Sequence, residues 1–190
     1  MAGTTTRKPR GTYAKGDAKR DQIVQRAMEA FAKTGYHGTS MREIAQACDL
    51  SQAGLLHHFP NKEAILLAIV DRRERSHPQD PMPDLQSTLT QVDRNIEEIG
   101  LTRLWANLVG EATDPDFPAH AYFKDRYRKT RAGFAQTFAT MGGRSEPNAE
   151  DQTKAAVFTA IWDGLQTQSL LDDDFDMKAA FAYAVQLMSR

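Results

Sequence analysis

The chain has 190 residues, 41% of them hydrophobic and no apolar run as long as eighteen, which excludes a disordered or fibrous protein and a membrane-spanning helix. Its net charge of −1 hides a division, because residues 1–75 hold 13 Lys and Arg against 8 Asp and Glu whereas residues 76–190 hold 11 against 17. A basic part beside an acidic part points to phosphate binding by one and a different task for the other.

Residues 1–18 are rich in Thr, Gly, Lys and Arg without any apolar period, and are expected to be a disordered basic arm. Its Arg7, Lys8, Arg10 and Lys15 either track phosphates or a minor groove, or form a solvated tail with no role. The polar start is no secretion signal, so a cytoplasmic protein without a membrane partner is expected. A first helix is expected from about Lys19 to Lys33, with Ile23, Ala27 and Phe31 on one side and Gly35 just past its end.

Ser40 and Glu43 stand at the spacing of a capping box and open a second helix, whose Met41, Ile44, Ala45 and Cys48 share one buried face. The lone cysteine, placed there, leaves no internal disulfide and no cysteine-built metal cluster. Asp49 can take the left-handed conformation of a tight turn, and Ser51 then caps a third helix that Pro60 stops after Phe59. Leu55 and Phe59 face inward, leaving Gln52, Ala53, Gly54, His57 and His58 outward. A short, pinned helix with small or hydrogen-bonding side chains is what a DNA major groove admits. His57 and His58 are adjacent and so about 100° apart on a helix, which prevents them from chelating one metal together. Asn61 caps a fourth helix, Lys62 to about Arg75, with Ile65, Leu66, Ile69 and Val70 as its apolar stripe.

Three prolines within residues 76–84 mark a domain boundary. Apolar residues then recur at helical spacing from Leu85 to Ile99, Leu101 to Ala112 and Phe123 to Met141. Two more helices are expected, about Ala149 to Leu171 and about Phe175 to Ser189, and breaks are expected at Gly100, at 114–118 and at 142–148. No period-two strand of useful length occurs, so the fold class is all-α.

The stretch from Phe31 to Ile69 closely resembles the helix-turn-helix region of the TetR family of bacterial transcriptional regulators. The resemblance extends over roughly residues 19–75 and is carried by Phe31, Gly35, Gly38, Thr39, Ile44, Ala45, Ser51, Leu55, His58, Phe59, Lys62 and Glu63 at the family's spacings. Asp49 stands where the family usually has glycine, and Leu56 where it commonly has a DNA-contacting tyrosine. The resemblance implies a three-helix DNA-binding domain over 19–75 and a larger helical domain over 84–190 that binds a small-molecule effector and dimerises. It implies contacts to double-stranded DNA from Thr39, Arg42, Ser51, Gln52, Ala53, Gly54, His57, His58 and the phosphate-contacting Lys62. A homodimer interface on the last two helices is expected to use Phe158, Ile161, Leu165, Phe181, Val185 and Met188. The effector would release the operator by changing the separation of the recognition helices through helix 4, with no cofactor or metal.

Trp105, Glu111, His120, Phe123, Tyr127, Phe134, Trp162 and Gln166 are the candidates to line the effector pocket. Glu111 and His120 are ionisable groups on otherwise apolar stretches, and each needs a polar partner. No nucleophile elbow, phosphate-cradling glycine loop or metal-spaced His and Glu set occurs, so an enzyme is not expected. Two alternatives stand beside the effector-responsive repressor: a ligand-independent dimeric DNA-binding protein, and a helical enzyme using Glu111 and His120. A cavity of roughly 300 Å³ or more in the second domain separates the first alternative from the regulator.

Overall fold

Local signals place the helix ends, and the computed structural model describes residues 11–76 and 87–189. Among the described residues there are nine α-helices: α1 (Gly11–Gly38), α2 (Met41–Ala47), α3 (Gln52–His58), α4 (Lys62–Ser76), α5 (Ser87–Glu97), α6 (Ile99–Glu111), α7 (His120–Met141), α8 (Ala149–Leu171) and α9 (Met177–Met188). None is long and apolar enough to cross a membrane. The chain divides into two compact units between Ile69 and Val70, within α4. Most of the proline-rich stretch and the arm residues Arg7, Lys8 and Arg10 lie outside the described residues.

Two expectations about helix ends need correction. First, α1 begins at Gly11 and not near Lys19. Ala14, Lys15 and Ala18 are good helix formers and no proline interrupts residues 11–18, so a polar composition that reads as disorder also suits a helix. Second, α5 and α6 part at Glu98, whose backbone is non-helical (φ −108°, ψ 41°), while Gly100 lies in the first turn of α6. The Thr102 hydroxyl bridges this break by donating to the Asn95 carbonyl at 3.0 Å. Gly35 does interrupt α1, with φ 78°, a conformation in which only glycine escapes the Cβ penalty.

The first unit buries Ile23, Val24, Ala27, Phe31, Tyr36, Ile44, Ala45, Cys48, Leu55, Phe59, Ile65, Leu66 and Ile69. Helical spacing supplies these side chains from all four of its helices, and α2 packs on both α1 and α3.

In the second unit α8 packs along α7 and α9, and α5 lies against α9. Val92, Phe134, Ala135, Phe138, Ala155, Phe158, Met177 and Phe181 make its core, with the Phe158 and Phe181 rings 5.3 Å apart. Phe158 and Phe181 are thus interior to one chain, and Ile161, Leu165, Val185 and Met188 pack partly buried against the same cluster. Phe158 and Phe181 therefore serve the core and not a surface, while Ile161, Leu165, Val185 and Met188 keep partly exposed side chains: apolar periodicity marks a buried face without saying what buries it. The large apolar side chains that α8 and α9 leave at the surface are Val157, Leu171, Tyr183 and Leu187. Between α7 and α8, Asp151 accepts from the Asn148 amide at 2.9 Å and from Arg144 at 2.6 Å, while the Asn148 side chain caps the Asp151 amide.

Candidate nucleic-acid interface and cavity

The α2–turn–α3 unit is set by its caps. The Glu43 amide donates to Ser40 Oγ at 3.2 Å, and the Ser40 amide donates back to the Glu43 carboxylate at 2.6 Å, which holds that carboxyl below the usual carboxylate range. Asp49 takes φ 56°, and the Leu50 amide closes the end of α2 on the Ala45 carbonyl at 2.9 Å. Aspartate is among the few residues that tolerate this conformation where glycine is usual. Ser51 Oγ then accepts from the Gly54 amide at 3.0 Å and starts α3. Leu55 and Phe59 are fully buried, and this fixes the rotation of α3.

With that face fixed, Ser51, Gln52, Ala53 and His57 are exposed, Gly54 and His58 are half-buried, and Arg42 is exposed on α2. Leu56 is 44% exposed and adds an apolar side chain to the outward face of α3. Burial first, then the charges of His57, Arg20 and Lys19, hold His58 below the usual imidazole range, so it is a neutral hydrogen-bonding group at pH 7.

Thr39 does not present its side chain to solvent. It is 2% exposed, and its hydroxyl donates to the Gly35 carbonyl at 2.8 Å beside the Thr34 hydroxyl. This corrects its assignment as a phosphate or base contact: it secures the connection between α1 and α2. Lys62 has an inward partner set as well, donating from Nζ to the carbonyls of Tyr36 (2.8 Å) and Thr39 (2.9 Å) above the Tyr36 ring. Two basic residues of α1 went unremarked in the sequence. Arg20 donates to the His58 carbonyl at 2.6 Å and stacks 4.1 Å over the Phe59 ring, and Lys19 donates to the Cys48 carbonyl at 3.2 Å. Each places a cation at a helix C-terminus, where it is stabilising. No local pattern links residues 29 and 38 positions apart, so only the fold reveals these pairs.

The second unit encloses a cavity of about 560 Å³. Its wall includes five of the eight residues expected there: Trp105, Tyr127, Phe134, Trp162 and Gln166. The other three lie elsewhere. Phe123 is buried with its ring 4.9 Å from that of Trp105, and His120 Nδ1 hydrogen-bonds the Ala112 carbonyl at 2.8 Å, bracing the α6–α7 connection. Glu111 ends α6 away from the wall. An ionisable group on an apolar helix signals a polar partner, and the backbone supplied it for His120. The wall also contains polar groups that apolar periodicity could not flag. Tyr127 donates its hydroxyl to Asp163 at 2.8 Å, the Asn95 amide donates to Gln166 at 3.0 Å, and Arg73, Arg94 and Arg126 contribute guanidinium groups.

A capped helix-turn-helix with an exposed second helix, joined to a helical unit that holds a cavity, defines a class of two-part helix-turn-helix proteins. Residues 23–69 match the model of the bacterial regulatory proteins, tetR family. It is 38% identical over 53 residues to the HTH-type transcriptional regulator RutR of Escherichia coli K12, a match spanning 28% of this chain and 25% of RutR. It is 41% identical over 51 residues to the HTH-type transcriptional regulator UidR of the same organism, spanning 27% and 26%. These matches cover about a quarter of the length of either relative. Similarity of fold reaches further. Salmonella enterica GusR superposes with a TM-score of 0.68 at 22% identity over 90% of this chain and 94% of its own. AibR, solved in complex with isovaleryl coenzyme A and operator DNA, superposes with a TM-score of 0.57 at 24% identity over 89% and 97%.

Proposed function

We propose that the chain is a cytoplasmic, homodimeric transcriptional repressor that leaves a palindromic operator when a small molecule fills the cavity of its second unit. The observation that carries the reading is α3: two turns long, capped by Ser51, locked in rotation by Leu55 and Phe59, and presenting Gln52, Ala53 and His57 outward. Such a helix fits a major groove, where amide and imidazole groups read base edges and Arg42 reaches phosphate. Residues 84–190 serve the effector and the second copy, and residues 1–18 add basic charge beside the DNA. A cavity of about 560 Å³ is of small-molecule size and favours an effector-responsive regulator over a ligand-independent DNA binder. AibR, a neighbour in fold, is known with a small molecule and operator DNA together.

Release requires that the effector bind the DNA-incompetent conformation more tightly, with a coupling of about 1–3 kcal/mol. Helix α4 is the natural carrier, because it begins at Lys62, which ties down the α1–α2 connection, and contains Arg73 of the cavity wall. Selection of DNA from a randomised pool, followed by footprinting, tests the reading. An inverted repeat occupied by two chains supports it, since a two-fold dimer offers two identical recognition helices. An asymmetric site held by one chain, or no enrichment, overturns it.

A further inference from the structure

Resting on the reading of the cavity as the effector site, we infer that its ligand is an uncharged aromatic molecule with a carboxamide or lactam edge, held at that edge by the side-chain amide of Gln166. Gln91, Asn95 and Gln166 all line the cavity and form one row of amides joining α5 to α8. Gln91 Nε2 donates to Asn95 Oδ1 at 2.9 Å, and Asn95 Nδ2 donates to Gln166 Oε1 at 3.0 Å. Asn95 is 6% exposed and Gln166 8%, so the row ends on a buried group. A side-chain amide carries two N–H donors besides its carbonyl acceptor. The row engages only the carbonyl of Gln166, and among the described residues its Nε2 donates to no acceptor of the chain.

A buried N–H without an acceptor is costly, and a ligand carbonyl at Gln166 removes that cost. If the three amides turn over together, Gln166 Oε1 becomes the free group, and a ligand edge with both a carbonyl and an N–H meets either arrangement. The other polar groups of the wall are already engaged. Arg73 and Arg126 stand against the Trp105 ring and have further interactions within the chain, and Arg94 is exposed. Asp163 accepts the Tyr127 hydroxyl and acts electrostatically on Arg126, and the Thr159 hydroxyl donates to the Ala155 carbonyl at 2.8 Å. A neutral amide edge therefore suits this wall better than a formal charge does. Phe134, Phe158 and Trp162 supply ring surface for the flat body of such a ligand.

The chain's two tryptophans, Trp105 and Trp162, both line the cavity, so their fluorescence reports a ligand that enters it. Three naphthalenes of similar shape are titrated into the full chain: 2-naphthamide, with a carbonyl and an N–H; 2-acetylnaphthalene, with the carbonyl alone; and 2-isopropylnaphthalene, with neither. Gln166→Leu keeps the bulk of the side chain and removes its hydrogen bonds. It should weaken 2-naphthamide about tenfold, the scale of one hydrogen bond, and leave 2-isopropylnaphthalene within about twofold. A substitution that weakens all three probes alike, or none of them, overturns the inference and leaves the cavity reading standing. Should Gln166→Leu fail to fold, the 13C shift of carbonyl-labelled 2-acetylnaphthalene bound to the unaltered chain decides. A downfield shift relative to cyclohexane supports a hydrogen-bonded carbonyl, and a cyclohexane-like shift overturns the inference. Failure of all three probes to bind overturns the cavity reading together with the inference.

Discussion

Lys62 Nζ donates to the carbonyls of Tyr36 and Thr39, at 2.8 and 2.9 Å, while standing 4.5 Å above the Tyr36 ring. A cation in the first turn of a helix is disfavoured by the helix dipole, and here the α1–α2 connection offsets that cost. The ammonium thereby joins α4 to the segment from which α2 starts. Lys62→Met keeps most of the apolar stem and removes the donor, leaving carbonyls without it. The variant should lose about 1–3 kcal/mol of stability. Affinity for operator and for unrelated DNA should fall together, because α2 and α3 lose their common support. Thermal melting beside DNA titration checks this; weaker DNA binding with an unchanged melt would make Lys62 a phosphate contact and nothing more.

Base preference should reside in α3, where Gln52 and His57 are the exposed hydrogen-bonding side chains. Gln52→Ala and His57→Ala should each relax selection at particular operator positions, with about 1–3 kcal/mol of discrimination lost per well-made contact. Arg42→Ala should instead weaken all sequences alike. Selection from randomised DNA with each variant reads the difference directly, and an unchanged consensus for both α3 variants would remove them from the base-reading set.

The first unit was legible because its signals are local. Ser40 with Glu43, Asp49, Ser51 and Pro60 each act over a few residues, and the structure follows them at every helix end from α2 to α3. The buried bond of Thr39 and the carbonyl partners of Lys62 went unseen for a related reason: an exposed-looking polar residue can be spent on a carbonyl across the fold, and sequence spacing says nothing about that. The second unit was legible as helices but not as surfaces. Phe158 and Phe181 satisfy any apolar pattern, yet whether such a ring faces its own core or a second copy depends on the packing of α5, α7, α8 and α9. The cavity wall mixes Trp105 and Phe134 with Arg73, Arg126 and Asp163, and only the aromatic half of that mixture stands out in a chain read by hydrophobicity.

Asp151 is 1% exposed and accepts from the Asn148 amide and from Arg144, and the amide bond above all holds its carboxyl below the usual range. A group whose folded pKa is depressed stabilises the fold above its unfolded pKa, near 4, and that contribution is lost as pH falls through the folded value. Asp151→Asn should therefore be less stable than the unaltered chain at pH 7, by the same margin down to about pH 4, with the gap closing towards pH 3. Urea melts at pH 7, 4 and 3 measure it. A gap that stays constant to pH 3 would show that packing of the side chain, and not its charge, is what the loop between α7 and α8 needs.

The proposed dimer makes the sharpest demand on the second unit. Tyr183 (63% exposed) and Leu187 (49%) stand one turn apart on α9, and Val157 and Leu171 are the large exposed apolar side chains of α8, which packs along α9. Val185, two residues from either α9 side chain, packs partly buried against the Phe158 and Phe181 cluster. Charge at these neighbouring positions should then have opposite consequences. Tyr183→Glu with Leu187→Glu places carboxylates on a surface that water already reaches, so the chain should stay folded and sediment as a monomer. Operator affinity should fall roughly 10²- to 10⁴-fold as the second half-site contact is lost. Val185→Glu instead forces a charge against the apolar core and should lower the melting temperature of the second unit at any protein concentration. Sedimentation and melting of both variants decide the matter: a Tyr183, Leu187 double variant that remains dimeric and keeps full operator affinity would move the interface off this face of α8 and α9.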